Sequence, residues 1–85
     1  MSPRYSRLPR IDVEADANDL PTRLHWGGQD LPVEVCHEWR IDEPWNGPIR
    51  RHYVQLRTLP PGPEWLLLVF HDELAASWHL ERLYS

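Results

Sequence analysis

Five histidines and one cysteine are the residues of this chain best suited to hold a metal. A structural zinc site takes four ligands, usually as two close pairs. Cys36 and His37 are adjacent, so on a strand they face opposite sides. His71 and His79 have seven residues between them, across a turn, where adjacent strands could bring them face to face. No second pair matches. The histidines read as ordinary surface or part-buried residues, and neither a metal nor a cofactor is expected. Cys36 is the only thiol, and a reactive thiol needs a cation or a histidine beside it. Arg40 shares its face but lies about 13 Å along an extended strand. No serine stands in a nucleophile elbow, no two carboxylates separate as acid and base, and no Gly-rich phosphate loop is present. No catalytic residue is expected, and the chain reads as a protein other than an enzyme.

Aromatic and arginine side chains carry more information. Arg51, Tyr53 and Arg57 share one face of a strand, and Arg50 precedes them. Trp45 stands in a Pro- and Gly-rich loop, where a large apolar ring needs a reason. Aromatics with arginine on one face of a small barrel suit a protein partner, because Trp, Tyr and Arg dominate interface energies. They also suit single-stranded nucleic acid, whose bases stack on aromatic rings. Alternatively, Trp45 folds back as a lid over an open barrel end. The candidate binding surface is Trp45, Arg50, Arg51, Tyr53 and Arg57, with a protein partner ranked ahead of nucleic acid.

The elements that position these residues are strands. Nine prolines leave few uninterrupted helical windows, and only Asp72 to Ser77 looks helical, for about one turn. Short apolar, β-branched and aromatic runs alternate with Gly, Pro, Asn and Asp. The runs place six strands, at Arg10 to Val13, Thr22 to Trp26, Leu31 to Ile41, Arg50 to Thr58, Glu64 to His71 and Trp78 to Tyr84. Gly27-Gly28-Gln29-Asp30 marks a tight hairpin. Short connections make neighbours pair antiparallel, so the fold class is all-β, a small barrel or roll of five to six strands in meander order. Alternation assigns Val33, Val35, Trp39, Val54, Leu56, Leu67, Val69, Trp78 and Leu80 to the core. In the third strand His37 and Ile41 would share that face, opposite Glu34, Cys36, Glu38 and Arg40. Leu83 is out of phase with Trp78 and Leu80, which a bulge near Glu81 would repair. The third strand is long. It either leaves an edge for two copies to pair, or bends through a bulge to serve two sheets with no edge left over. Charges along it and Pro32 and Pro44 at its ends favour the monomer.

Length and charge set the frame. Eighty-five residues make one domain with a thin stability margin. Residues 1–9 read as a flexible basic arm and 10–85 as a single β domain. Arg4, Arg7 and Arg10 stand in an acid-free start, whereas the remaining six Arg face thirteen acids. An acidic body repels phosphate. A single cysteine allows no internal disulfide, Met1 to Arg10 has no apolar run, and the apolar stretch Trp65 to Phe70 is too short to span a bilayer. A cytoplasmic location without membrane contact is expected.

The residues Trp26-Gly27, Pro32-Val33-Glu34-Val35, Trp39-Arg40, Pro44-Trp45, Arg50-Arg51-His52-Tyr53-Val54, Phe70-His71-Asp72 and Trp78-His79-Leu80-Glu81-Arg82-Leu83-Tyr84 follow one another in an order that resembles a known family. It is a small bacterial domain of unknown function, found free-standing. A like segment ends the inactive Y-family-polymerase homologues of the bacterial mutasome, which act in translesion synthesis. The likeness spans about residues 20–85. Pro44-Trp45 stands where that family often has two Trp, and the turn at Pro60 to Pro63 is unusually Pro-rich. The resemblance carries over no catalytic residue. It implies a binding or assembly role in bacterial DNA-damage tolerance.

Overall fold

Alternating side chains make each run of this chain a ribbon with one apolar face, and six such ribbons bury those faces by closing on themselves. The computed structural model describes residues 10–26, 28–43 and 49–84. The strands are β1 (Arg10–Ala15), β2 (Pro21–Trp26), β3 (Gln29–Glu43), β4 (Ile49–Thr58), β5 (Leu66–Asp72) and β6 (Ser77–Leu83). They form a closed antiparallel barrel in the order β1-β2-β3-β4-β5-β6, with β1 returning to pair with β6. The described residues contain no helix. Asp72 to Ser77 is a turn, in which the Asp72 carboxylate accepts from the backbone N–H of Leu74 and Ala75 at 3.1 and 3.2 Å. Such a side-chain bond offers the backbone an alternative to helix.

The β2–β3 hairpin pairs up to Trp26 and Gln29. Gly28 holds φ at +74°, a left-handed conformation that favours glycine. Ile11, Leu24, Val33, Val54, Leu56, Leu67, Val69 and Leu80 form the buried core. Val35 and Trp78 pack against it while half-buried, so they line its margin. At the end carrying the β2–β3 and β4–β5 connections, Trp26 and Trp65 meet edge to face with centroids 5.6 Å apart. Thr58 ties that end down. Its buried hydroxyl accepts from the Trp65 N–H at 2.7 Å and donates to the Pro63 carbonyl at 2.5 Å.

The register shifts three times among the described residues, once between β1 and β2 at Glu14 and Ala15, and the bulges in β6 and β3 decide which side chains of those strands face outward. In β6, Leu80 pairs with Val69 and Arg82 with Leu68, so Glu81 is the extra residue. That repairs the phase of Leu83, as the alternation requires. In β3, Val35 pairs with Leu56 and His37 with Gln55, so Cys36 is the extra residue. Residues beyond a bulge change face relative to those before it. Val33 and Val35 therefore point inward, but Glu38 and Arg40 follow them, opposite Val54 and His52. Trp39 and Ile41 turn outward. The expectation that Trp39 is buried is thus corrected: it is 39% exposed.

β3 serves two neighbours in succession. Gln29 to Pro32 pair with β2, and Val33 to Glu43 pair with β4. The strand is fifteen residues long, outrunning β2. The bend through a bulge and the overhanging edge, which the sequence presents as alternatives, occur together.

Candidate interaction surface

Once Trp39 faces outward, cross-strand pairing assembles a row of rings. Trp39 lies opposite Tyr53, Tyr53 opposite Phe70, and Phe70 opposite His79, across β3, β4, β5 and β6. Trp39 and Tyr53 stack with centroids 5.5 Å apart and planes 6° from parallel. Tyr53 and Phe70 are 5.3 Å apart, Phe70 and His79 5.1 Å, and His37 leans on Trp39 at 5.4 Å. Directly opposed aromatic pairs are among the stronger units of sheet stabilisation. Arg51, two residues before Tyr53 and on the same face, lays its guanidinium 4.5 Å from the Phe70 centroid and donates to the Tyr53 hydroxyl at 3.1 Å. Phe70 is consequently only 2% exposed although it points away from the core.

Of the candidate residues read from the sequence, the structure brings Arg51 and Tyr53 together in this row. Arg50 faces the opposite side of β4, where Asp42 lies 3.9 Å away. Arg57 shares the outer face six residues along, and the Glu34 carboxylate accepts from it. That bond and its charge raise the Arg57 pKa above its ordinary value. Trp45 lies outside the described residues. The row's other members, Trp39, Phe70 and His79, escape the sequence reading. Phe70 could be found, since β5 is apolar on both faces and its outward rings need cover. Trp39 could not, because no glycine or proline at Cys36 marks the bulge that turns it.

The inner face beyond the core is polar. His52, 1% exposed, donates from Nε2 to Glu38 Oε1 at 2.7 Å, and its Nδ1 is buried with no hydrogen-bond partner among the described residues. His71 stacks on Trp78 at 4.8 Å on this same side. His71 and His79 therefore point to opposite faces, which corrects the expectation that they could meet. Among the described residues, no three or more His, Cys, Asp or Glu gather as they would around a metal ion. Cys36 is exposed at its bulge, beside a shallow depression lined also by Arg57, Glu64, Trp65 and Leu66. A third polar cluster lies on β1–β3, where Arg23 contacts Asp30 at 3.1 Å and His25 contacts Glu14 at 2.7 Å.

Chemically, the aromatic row offers flat π surface, the guanidinium of Arg51 held in place, and the imidazoles of His37 beside Trp39 and His79 beside Phe70. That set binds by stacking, apolar contact and directed hydrogen bonds. No protein-family profile, curated protein or solved structure matches the chain.

Proposed function

We propose that this protein is a non-enzymatic interaction module that binds a protein partner through the outer face of β3–β6. The observation that carries the reading is Trp39, a large ring 39% exposed at the open end of a stacked row. Interface energy concentrates in such residues, particularly Trp, Tyr and Arg on a rigid support. Here the support is a sheet, and Tyr53 and Arg51 are fixed by their own contacts before any partner arrives. Little side-chain entropy is then lost on binding. A setting in bacterial DNA-damage tolerance is supported by the sequence resemblance alone.

The test uses immobilised protein and lysates from damaged and undamaged bacterial cells, with folded Trp39→Ala protein as the matched control. The expected result is a replication or repair protein retained by the wild type and lost from the variant. Equal recovery on both, or recovery of unrelated metabolic proteins only, sinks the proposal.

Single-stranded nucleic acid is the second reading, favoured by the exposed Trp39 ring beside Arg51 on a small barrel. The other two arginines of the expected basic strip have carboxylates beside them, Arg50 with Asp42 and Arg57 with Glu34. The net charge of −4 adds to the opposition. Tryptophan fluorescence with an oligonucleotide at low salt tests it. No quenching at high micromolar oligonucleotide removes it.

A further inference from the structure

The overhang of β3 exposes a strand edge of defined composition. From Val33 to Glu43 the strand pairs with β4 on one side and, among the described residues, has no strand on the other. Backbone donors and acceptors along such an edge invite another strand. Past the Cys36 bulge, the run His37-Glu38-Trp39-Arg40-Ile41 is regular, with Glu38 and Arg40 on the inner face and Trp39 in the middle of the outer face.

We propose that two copies of this chain pair antiparallel along this edge, with the Trp39 residues of both copies meeting at the two-fold axis. Charge complementarity selects the occupant and the register. A two-fold axis perpendicular to a sheet pairs only residues on the same face. With Trp39 opposite itself, Glu38 lies opposite Arg40 of the second copy, and Arg40 opposite its Glu38. His37 meets Ile41 of the second copy. Moving the register two residues one way sets Glu38 against Glu38, and the other way sets Arg40 against Arg40. Both are destabilising like-charge pairs. A shift of four residues in the direction that centres the axis on Ile41 recovers an Arg40–Asp42 pair, but it uses only the last five residues of the strand. The Trp39-centred register alone uses the whole regular run with every opposed charge complementary. The Glu38 carboxylate spends Oε1 on His52, and Arg40 has a loose contact with Glu73 at 3.9 Å, so both keep capacity for a partner. Pairing would also join the two aromatic rows into one face through the Trp39 pair. The proposal is independent of any other partner.

Sedimentation of the purified full-length protein at low and high micromolar concentration reads the mass. The expected value approaches twice 10.1 kDa at the higher concentration, and Arg40→Glu, which sets two carboxylates opposite each other at each pair, weakens association about tenfold. Register is read by oxidation in a Cys36→Ser background. Trp39→Cys is expected to form a disulfide-linked dimer, and Ile41→Cys is not. A mass of 10.1 kDa at both concentrations overturns the proposal. So does a dimer whose association Arg40→Glu leaves unchanged, or one that links through Ile41→Cys instead of Trp39→Cys.

Discussion

Arg51 covers Phe70: the guanidinium carbon stands 4.5 Å from the ring centroid and closes an outward-facing phenyl to 2% exposure. The arginine stem and fork act here as cover. Arg51→Ala is expected to lower stability by about 1 kcal/mol, and Arg51→Lys to recover only part of it, because an ammonium lacks the planar fork that bonds Tyr53. Urea unfolding measures both. An alanine variant as stable as the wild type would show that the contact carries nothing.

Trp39 and Leu56 should separate surface from core. Leu56 is fully buried, and Leu56→Ala is expected to cost about 2–5 kcal/mol, enough to unfold much of so small a domain. Trp39→Ala removes a stacked but exposed ring and is expected to cost about 1 kcal/mol. Thermal melting orders the two. The reverse order would put Trp39 back in the core.

Thr58 tests the β4–β5 connection. Thr58→Val keeps the shape but leaves the Trp65 N–H without its acceptor, at an expected cost of about 1–3 kcal/mol. Thr58→Ser keeps both hydrogen bonds and loses one methyl, so about 1 kcal/mol is expected. A chemical denaturation series in which valine outperforms serine would refute the role given to the hydroxyl.

His52 is predicted to be dispensable for stability. His52→Leu removes a buried Nδ1 that has no partner among the described residues, and it frees Glu38, whose side chain is 46% exposed and therefore reachable by water. A buried polar group without a partner costs about 1–3 kcal/mol. The leucine variant is expected to match or exceed the wild-type denaturation midpoint. A large drop would assign the Glu38–His52 bond a structural role.

Cys36 is the extra residue of the β3 bulge, so neither changing its side chain nor removing it should alter which faces the rest of the strand presents. Cys36→Ser changes an exposed side chain and is expected to stay within about 0.5 kcal/mol of the wild type. Deleting Cys36 leaves Val35 opposite Leu56 and His37 opposite Gln55 in a regular ladder, with Val33, Val35 and Glu38 still inward and Trp39 still outward. A cooperative transition on heating, followed by circular dichroism, is expected to survive the deletion. Its loss would show that the bend at the bulge is itself required for the barrel to close.

That bulge also marks where the sequence stops being legible. The six strands and their meander follow from alternation and turn residues, because a half-buried strand must alternate and short turns leave little choice of neighbour. The extra residue at Glu81 is readable too, since Leu80 and Leu83 cannot share a face without it. At Cys36 the alternation runs on unbroken, with Val33, Val35, Trp39 and Ile41 set against Glu34, Glu38 and Arg40, so nothing in the sequence reports the change of phase. Glu38 and Arg40 can be polar inside only because the overhang leaves them open to solvent, and that depends on β2 being short. The outer aromatic row then follows from tertiary register alone, which is why Tyr53 and Arg51 could be named and Trp39 could not.

The meander has a consequence for the order of events in folding. Among the described residues, every strand pairing but one joins strands adjacent in the chain, so most of the barrel assembles through short loops at little entropic cost. The exception is the seam, where Ile11 meets Trp78 and nearly the whole chain lies between. Its contacts are the most non-local in the molecule, and loop closure must be met before they give anything back. The hairpins from β2 to β5 can therefore form early, while β1 and β6 meet last. By the same reasoning the seam opens first, and it is the line along which the closed barrel becomes, briefly, an open sheet.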